Sequence, residues 1–135
     1  MALRRPLVLD ASGFPTEIPS GDAWRDISPI NALANVAGVV NIDCSLGNFF
    51  TLALAANVTS ITFSNLPAAG LAQSIMVAIT QDPATARTVA FPAAFDWPGG
   101  TVGVVSTGLS AVDLLGISTF NQGTTWLANL AKAYA

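Results

Sequence analysis

Eight carboxylates, one thiol and no histidine set the limits of the chemistry this 135-residue chain could perform. The acids are Asp10, Glu17, Asp22, Asp26, Asp43, Asp82, Asp96 and Asp113. A carboxylate pair can hydrolyse a glycosidic bond without histidine. Yet no two acids after residue 36 lie close in sequence, and each has a structural reading. Asp82 precedes Pro83 in a turn, Asp96 borders Trp97-Pro98-Gly99-Gly100, and Asp113 can pair with Arg87 or with a backbone amide. The absence of histidine removes imidazole general-base chemistry and most transition-metal sites. The serines and threonines have no base to activate them. Gly99-Gly100 is followed by neither Lys-Ser/Thr nor a helical pattern, so it forms no phosphate loop. Asp43 opens no calcium-loop ligand series. Cys44 has no thiol to pair with, suits a reducing cytosol and reads as a small buried residue in a strand. The expectation is a protein that is not an enzyme, with no catalytic residue, cofactor or metal site.

Composition points to association instead. Hydrophobic residues make up 52% of the chain and charged residues 10%, against a typical charged share of about 25%. A length of 135 residues suits one domain with a core of its own. The chain is too apolar for disorder and has no apolar run of the roughly 20 residues that a membrane helix needs. Its formal charge of −3 gives no general attraction to nucleic acid. A surface this poor in charge is explained by burial against other chains, so subunit contacts are expected, with neither nucleic acid nor membrane as partner.

The elements that would carry such contacts divide near residue 36. Residues 1–35 hold four of the eight prolines and three of the five cations. Prolines at that density prevent continuous sheet or helix, so the segment reads as an extended arm with local turns. Ser28-Pro29 could open a short helix through Val36, while Ala37 to Asp43 reads equally well as the entry to a strand. From residue 36 the apolar period is two, with turn signals every 8–12 residues. Strands are expected at 39–43, 49–54, 58–64, 75–79, 88–91, 101–105 and 111–119, and a hairpin at Asn121-Gln122-Gly123 leads into 124–130. This predicts an all-β fold: an antiparallel, jelly-roll-like β-sandwich over 36–135, preceded by the extended arm.

Aromatic and apolar residues supply the candidate contacts. Phe63 and Phe91 read as core. Trp97, beside a turn, could pack on a sheet end, stack on a sugar or sit at a subunit contact. Leu7, Leu9, Phe14, Ile18 and Trp24 lie on an arm with no core of its own to receive them, and Arg4 and Arg5 are too few for a nucleic-acid patch. These seven are the expected docking residues. Burying each large apolar side chain contributes roughly 1.5–3 kcal/mol, whereas ordering the arm costs about 1–2 kcal/mol per residue, so a preformed groove is required. Arg4 and Arg5 would set register against acidic partner groups.

Several segments then carry a resemblance. Asn41-Ile42-Asp43-Cys44-Ser45-Leu46-Gly47-Asn48-Phe49-Phe50-Thr51-Leu52, followed by Ile61-Thr62-Phe63-Ser64-Asn65-Leu66-Pro67, resembles small β-domains of tailed-bacteriophage virion proteins. So do Thr80-Gln81-Asp82, Arg87-Thr88-Val89-Ala90-Phe91-Pro92, Trp97-Pro98-Gly99-Gly100-Thr101 and Asn121-Gln122-Gly123-Thr124-Thr125-Trp126, which together span residues 39–130. The opening Arg4-Arg5-Pro6-Leu7-Val8-Leu9 and Ile18-Pro19-Ser20-Gly21-Asp22 are similar to the start of short phage structural proteins. The resemblance implies a virion component, made in the host cytoplasm, and supplies no catalytic residues. It also implies a homotrimer, since three-fold positions are common to capsid decorations and fibres. Residues 1–35 are too short and irregular for a fibre shaft. The layout therefore suits a capsid decoration or cement protein on the capsid exterior, with the major capsid protein as partner. A short tail-fibre or tail-tip adaptor bound to a tail protein is the alternative. Purified protein should show no cell-wall or polysaccharide hydrolysis; hydrolysis that disappears in Asp82→Asn or Asp96→Asn would contradict this.

Overall fold

A computed structural model describes residues 7–9, 12–13, 15–17 and 28–134. These residues form strands and two short 3-10 turns, with no α-helix among them. Near the start, β1 (Leu7–Leu9) and β2 (Pro15–Glu17) pair antiparallel as a two-stranded sheet. The expected extended arm thus contains a short hairpin. Pro15 stands at the first residue of its strand, where a missing N–H is tolerated. Arg4, Arg5, Phe14, Ile18 and Trp24 lie outside the described residues, and Leu7 and Leu9 fall on the backbone of β1.

The main body is two sheets that the chain visits in turn. β3 (Ile30–Ala32) starts the larger sheet, and β4 (Asn35–Val36) and β5 (Val39–Asp43) form a hairpin in the smaller one. β6 (Phe49–Ala53) returns to the larger sheet, β7 (Ser60–Ser64) to the smaller, and β8 (Gln73–Thr80) to the larger again. The short β9 (Phe95–Asp96) lies at the edge, and β10 (Val112–Thr119) and β11 (Trp126–Tyr134) complete the larger sheet. Its order is β3-β6-β8-β10-β11-β9, and that of the smaller sheet is β4-β5-β7.

The expected antiparallel, jelly-roll-like pairing is corrected by this path. β3–β6, β6–β8, β5–β7 and β9–β11 are parallel, whereas β8–β10, β10–β11 and β4–β5 are antiparallel. A parallel pair needs a crossover of about a dozen residues. Here the crossover between β5 and β7 is itself β6, and that between β6 and β8 is β7. Turn signals 8–12 residues apart mark corners between sheets as well as hairpins, so spacing alone does not distinguish the two.

Other expectations are sorted locally. Residues 30–36 enter the two sheets as β3 and β4, so the alternative of a helix after Pro29 falls, and the sheets begin before residue 36. Asn35 explains the tight turn into β5: its side-chain oxygen accepts the Gly38 N–H at 2.8 Å, and Gly38 has a φ of 89° that favours glycine. Residues 88–91 contribute one isolated bridge, Val58 to Val89, rather than a strand, and 101–105 are irregular. Cys44 is buried as expected, but in a 3-10 turn directly after β5.

Alternation within the strands puts one set of side chains between the sheets. Val40, Ile42 and Ile61 from the smaller sheet join Phe50, Leu52, Ile75, Val77, Ile79, Leu115, Ile117 and Trp126 from the larger in a single hydrophobic cluster. Phe63 stacks on Trp126 with ring centroids 4.5 Å apart. Trp97 is also part of this cluster, edge-on to Phe91 at 5.1 Å. That corrects the candidate oligomer or surface contact at Trp97: its ring is enclosed by its own chain. A Cβ added at Gly103 would lie 2.6 Å from Trp97 Cζ3 and 2.7 Å from Cη2. Gly103→Ala must therefore displace a packed ring. We expect a loss of about 1–3 kcal/mol in denaturant unfolding followed by tryptophan fluorescence; an unchanged midpoint would contradict this packing.

Candidate functional site

The carboxylates expected to be structural are held by local donors. Asp43 accepts hydrogen bonds from the Ser45 hydroxyl at 2.6 Å, the Ser45 amide at 3.0 Å and Asn65 Nδ2 at 2.9 Å. The Ser45 hydroxyl, then Asn65, holds its carboxyl below the usual range. Asp82 accepts from the Ala84 and Thr85 amides and makes an ion pair with Arg87 Nε at 2.8 Å. The Ala84 amide and then Arg87 lower its pKa. Arg87 is therefore directed to Asp82, and of the two partners considered for Asp113 the backbone amide is the correct one.

Asp113 is the most constrained of these groups. Only 2% exposed, it faces inward from β10 and accepts from the Ser106 amide, the Ser106 hydroxyl and the Ala133 amide. Burial alone would raise its pKa; the Ser106 hydroxyl and the two amides outweigh burial and leave it lowered. Asp96 is exposed in β9. Burial, aided by the charge of Asp43, raises the pKa of the Cys44 thiol, which disfavours the reactive thiolate. Among the described residues no three potential metal ligands gather. No helix of the described residues is long and apolar enough to cross a membrane.

The larger sheet offers a different kind of site. Its inward side chains are buried, and its outward ones form rows across the strands. Ile30, Phe49, Met76, Gly116 and Asn129 are successive register partners, as are Ala32, Thr51, Ala78, Leu114 and Ala131. Ala53, Thr80, Val112 and Tyr134 form a third row; Ser74, Ser118 and Leu127 form a fourth. The only charges on these five strands are Asp113, which faces inward, and Lys132, next to the register shift in β11. Ile30 is 72% exposed, Phe49 44%, Leu127 54% and Tyr134 55%. Ser74 and Ser118 bond each other across the face at 2.7 Å, so part of its sparse polarity is already paired.

These outward residues were absent from the candidates read in the sequence. The signal lay in the near-continuous apolar runs Ile75 to Ile79 and Leu114 to Ile117. A strand with one solvated face alternates apolar and polar residues, whereas a strand covered on both faces does not. With Ile75, Val77 and Ile79 buried, Met76 and Ala78 fall on the outward face of the same strand.

Comparison with known protein families, curated proteins and solved structures finds no match to this chain. What the geometry can do is therefore read from its own surface.

The carboxylates carry a pH signature. Each pKa is lowered on folding, so the stabilisation is complete above the unfolded value near about 4 and is lost as pH falls through the lower folded value. Stability should thus decline on acidification below about pH 4. Asp113→Ala, which strands the Ser106 and Ala133 amides, should cost on the order of 1–3 kcal/mol at neutral pH and flatten this acid dependence. Thermal melts from about pH 2.5 to about pH 7 check both; a variant as stable and as acid-sensitive as the parent would contradict the assignment.

Proposed function

We propose that the chain is a non-enzymatic structural protein of a tailed-phage virion, a capsid decoration or cement protein on the capsid exterior. In this reading the segment before β3 is an arm that docks on the major capsid protein through Arg4, Arg5, Leu7, Leu9, Phe14, Ile18 and Trp24. The two sheets, from β3 onward, form a β-sandwich that assembles as a homotrimer. The resemblance of residues 39–130 to phage virion β-domains supports the virion assignment and is the basis for three subunits.

One observation carries the assembly role: a broad uncharged sheet face with large apolar side chains exposed on it. Such surfaces on a soluble domain mark association sites. The competing reading, a short tail-fibre or tail-tip adaptor, would draw on a depression of about 200 Å³ lined by Phe120, Asn121, Thr125 and Leu127. That is below the roughly 300–1,000 Å³ of ordinary small-molecule sites. Asn121 Oδ1 also already accepts the Thr125 amide at 2.9 Å. The decoration reading is therefore preferred.

Particles lacking the native protein provide the test. Full-length protein should bind the capsid exterior in electron micrographs, and Leu9→Glu or Trp24→Glu should lose occupancy while remaining oligomeric. Wild-type occupancy by both variants would refute docking by the arm. Failure of the parent protein to bind any part of the particle would refute the virion assignment.

A further inference from the structure

We propose that copies of this chain join through the outward face of the larger sheet, face against face, with Ala78 and Leu114 near the centre of the seam. This rests on the reading that the chain self-associates but not on three subunits: one face meeting its own copy is a two-fold contact, which joins chains in pairs.

Size is the first argument. The five strands together run about 110 Å, which at about 4.8 Å spacing makes a face on the order of 500 Å². Two such faces bury about 1,000 Å² on contact, where specific interfaces begin. A second copy therefore covers the face with an interface of sufficient size.

Charge is the second. The rows hold no carboxylate, so bringing two identical faces together opposes no like charges and strands no buried acid. Lys132 lies beside the register shift toward the end of β11, and its charge also helps to keep Asp113 ionised. Relief is the third argument. Large residues (Ile30, Phe49, Met76, Leu114) stand among small ones (Ala32, Ala78, Gly116), the mixture that lets facing side chains interdigitate between sheets about 10 Å apart. Met76 Sδ already lies so close to Gly116 that an added Cβ there would meet it at 3.3 Å.

The edges are poorer candidates. The larger sheet ends in β3, three residues long, and β9, two residues long, and short edge strands offer little ladder to extend. Face packing is the contact that the dimensions favour.

Sedimentation of full-length variants tests the inference. Ala78→Glu places an unpaired charge at the centre of the seam and should weaken self-association on the order of 100- to 1,000-fold, giving single chains with the parent's far-UV circular dichroism. Val104→Glu, in the irregular segment outside the sheets, should remain oligomeric. As a readout that needs no disruption, Ala131→Cys should cross-link between copies under oxidation, with buried Cys44 silent, and Val104→Cys should not. An Ala78→Glu protein that stays oligomeric overturns the face assignment while leaving self-association intact. If it also melts earlier than the parent, the face is covered by the chain's own residues 1–27 instead. A parent protein that is monomeric at high concentration overturns self-association itself. Should Ala78→Glu fail to fold, the cross-linking pair decides: cross-linking at residue 104 and none at 131 refutes the proposal.

Discussion

The stack of Phe63 on Trp126 joins the two sheets, and much of the remaining structure depends on it. Phe63 belongs to β7 in the smaller sheet, and Trp126 opens β11 in the larger and has no exposed surface. From this pair the rings continue through Phe95, 6.1 Å from Phe63, to Trp97, 6.1 Å further on, and Phe91. Aromatic contacts of this kind contribute about 0.5–1.5 kcal/mol each beyond the area they bury. The indole N–H groups of Trp97 and Trp126 have no hydrogen-bond partner among the described residues, and an unpaired buried donor costs about 1–3 kcal/mol that packing must exceed. The core is thus organised by ring shape, at some expense in polar satisfaction.

A second constraint is the long irregular path between β8 and β10. A loop of this length survives in a compact fold only if its backbone polar groups are satisfied. Gln81, almost fully buried, does this with both ends of its amide. Its Nε2 donates to the Arg87 and Ser106 carbonyls, and its Oε1 accepts the Asp82 and Arg87 amides. Asp113 fastens the same path from the other side through Ser106 and reaches the far end of β11 through Ala133. These two side chains substitute for the ladder that a regular strand would have supplied. The excursion also delivers Trp97 and Val105 to the core, so it is a structural part of the body rather than an appendage.

The larger sheet has one apolar face turned to its own core and another that is nearly as apolar. Most of the described charges lie elsewhere: Asp43 at a strand end, Asp82 and Arg87 in the irregular path, Asp96 at the sheet edge. This distribution connects composition to function. A chain with 10% charged residues could spread them evenly and remain solitary. Among the described residues they are concentrated at corners and ends, and the broad surface is left suitable for contact.

Much of the fold was legible in the sequence, wherever the deciding physics is local. The strands expected at 39–43, 49–54, 58–64, 75–79, 111–119 and 124–130 all form, with ends shifted by up to four residues, because the pleat alternates side chains whatever the strand pairs with. The turn at Pro98–Gly100 and the hairpin at 121–123 follow from glycine: Gly99, Gly100 and Gly123 all take positive φ. The structural roles of Asp82 and Asp113 were legible too, though not the choice of an amide over Arg87 for Asp113. Strand direction was not legible, since β5–β7 and β6–β8 are parallel only because the chain passes through the opposite sheet between them. Trp97 was ambiguous in sequence because its neighbours Phe91 and Gly103 meet it only after the irregular path folds back. The outward face was missed for the same reason. Met76, Ala78 and Leu114 become a surface only when register sets them side by side, and register is a property of pairing between segments distant along the chain. The sequence by itself determined where the longer strands and the glycine turns fall and how little charge there is to distribute; the tertiary structure alone decided which short segments join the sheets, which strands are neighbours, and with them which apolar residues are core and which are left facing outward.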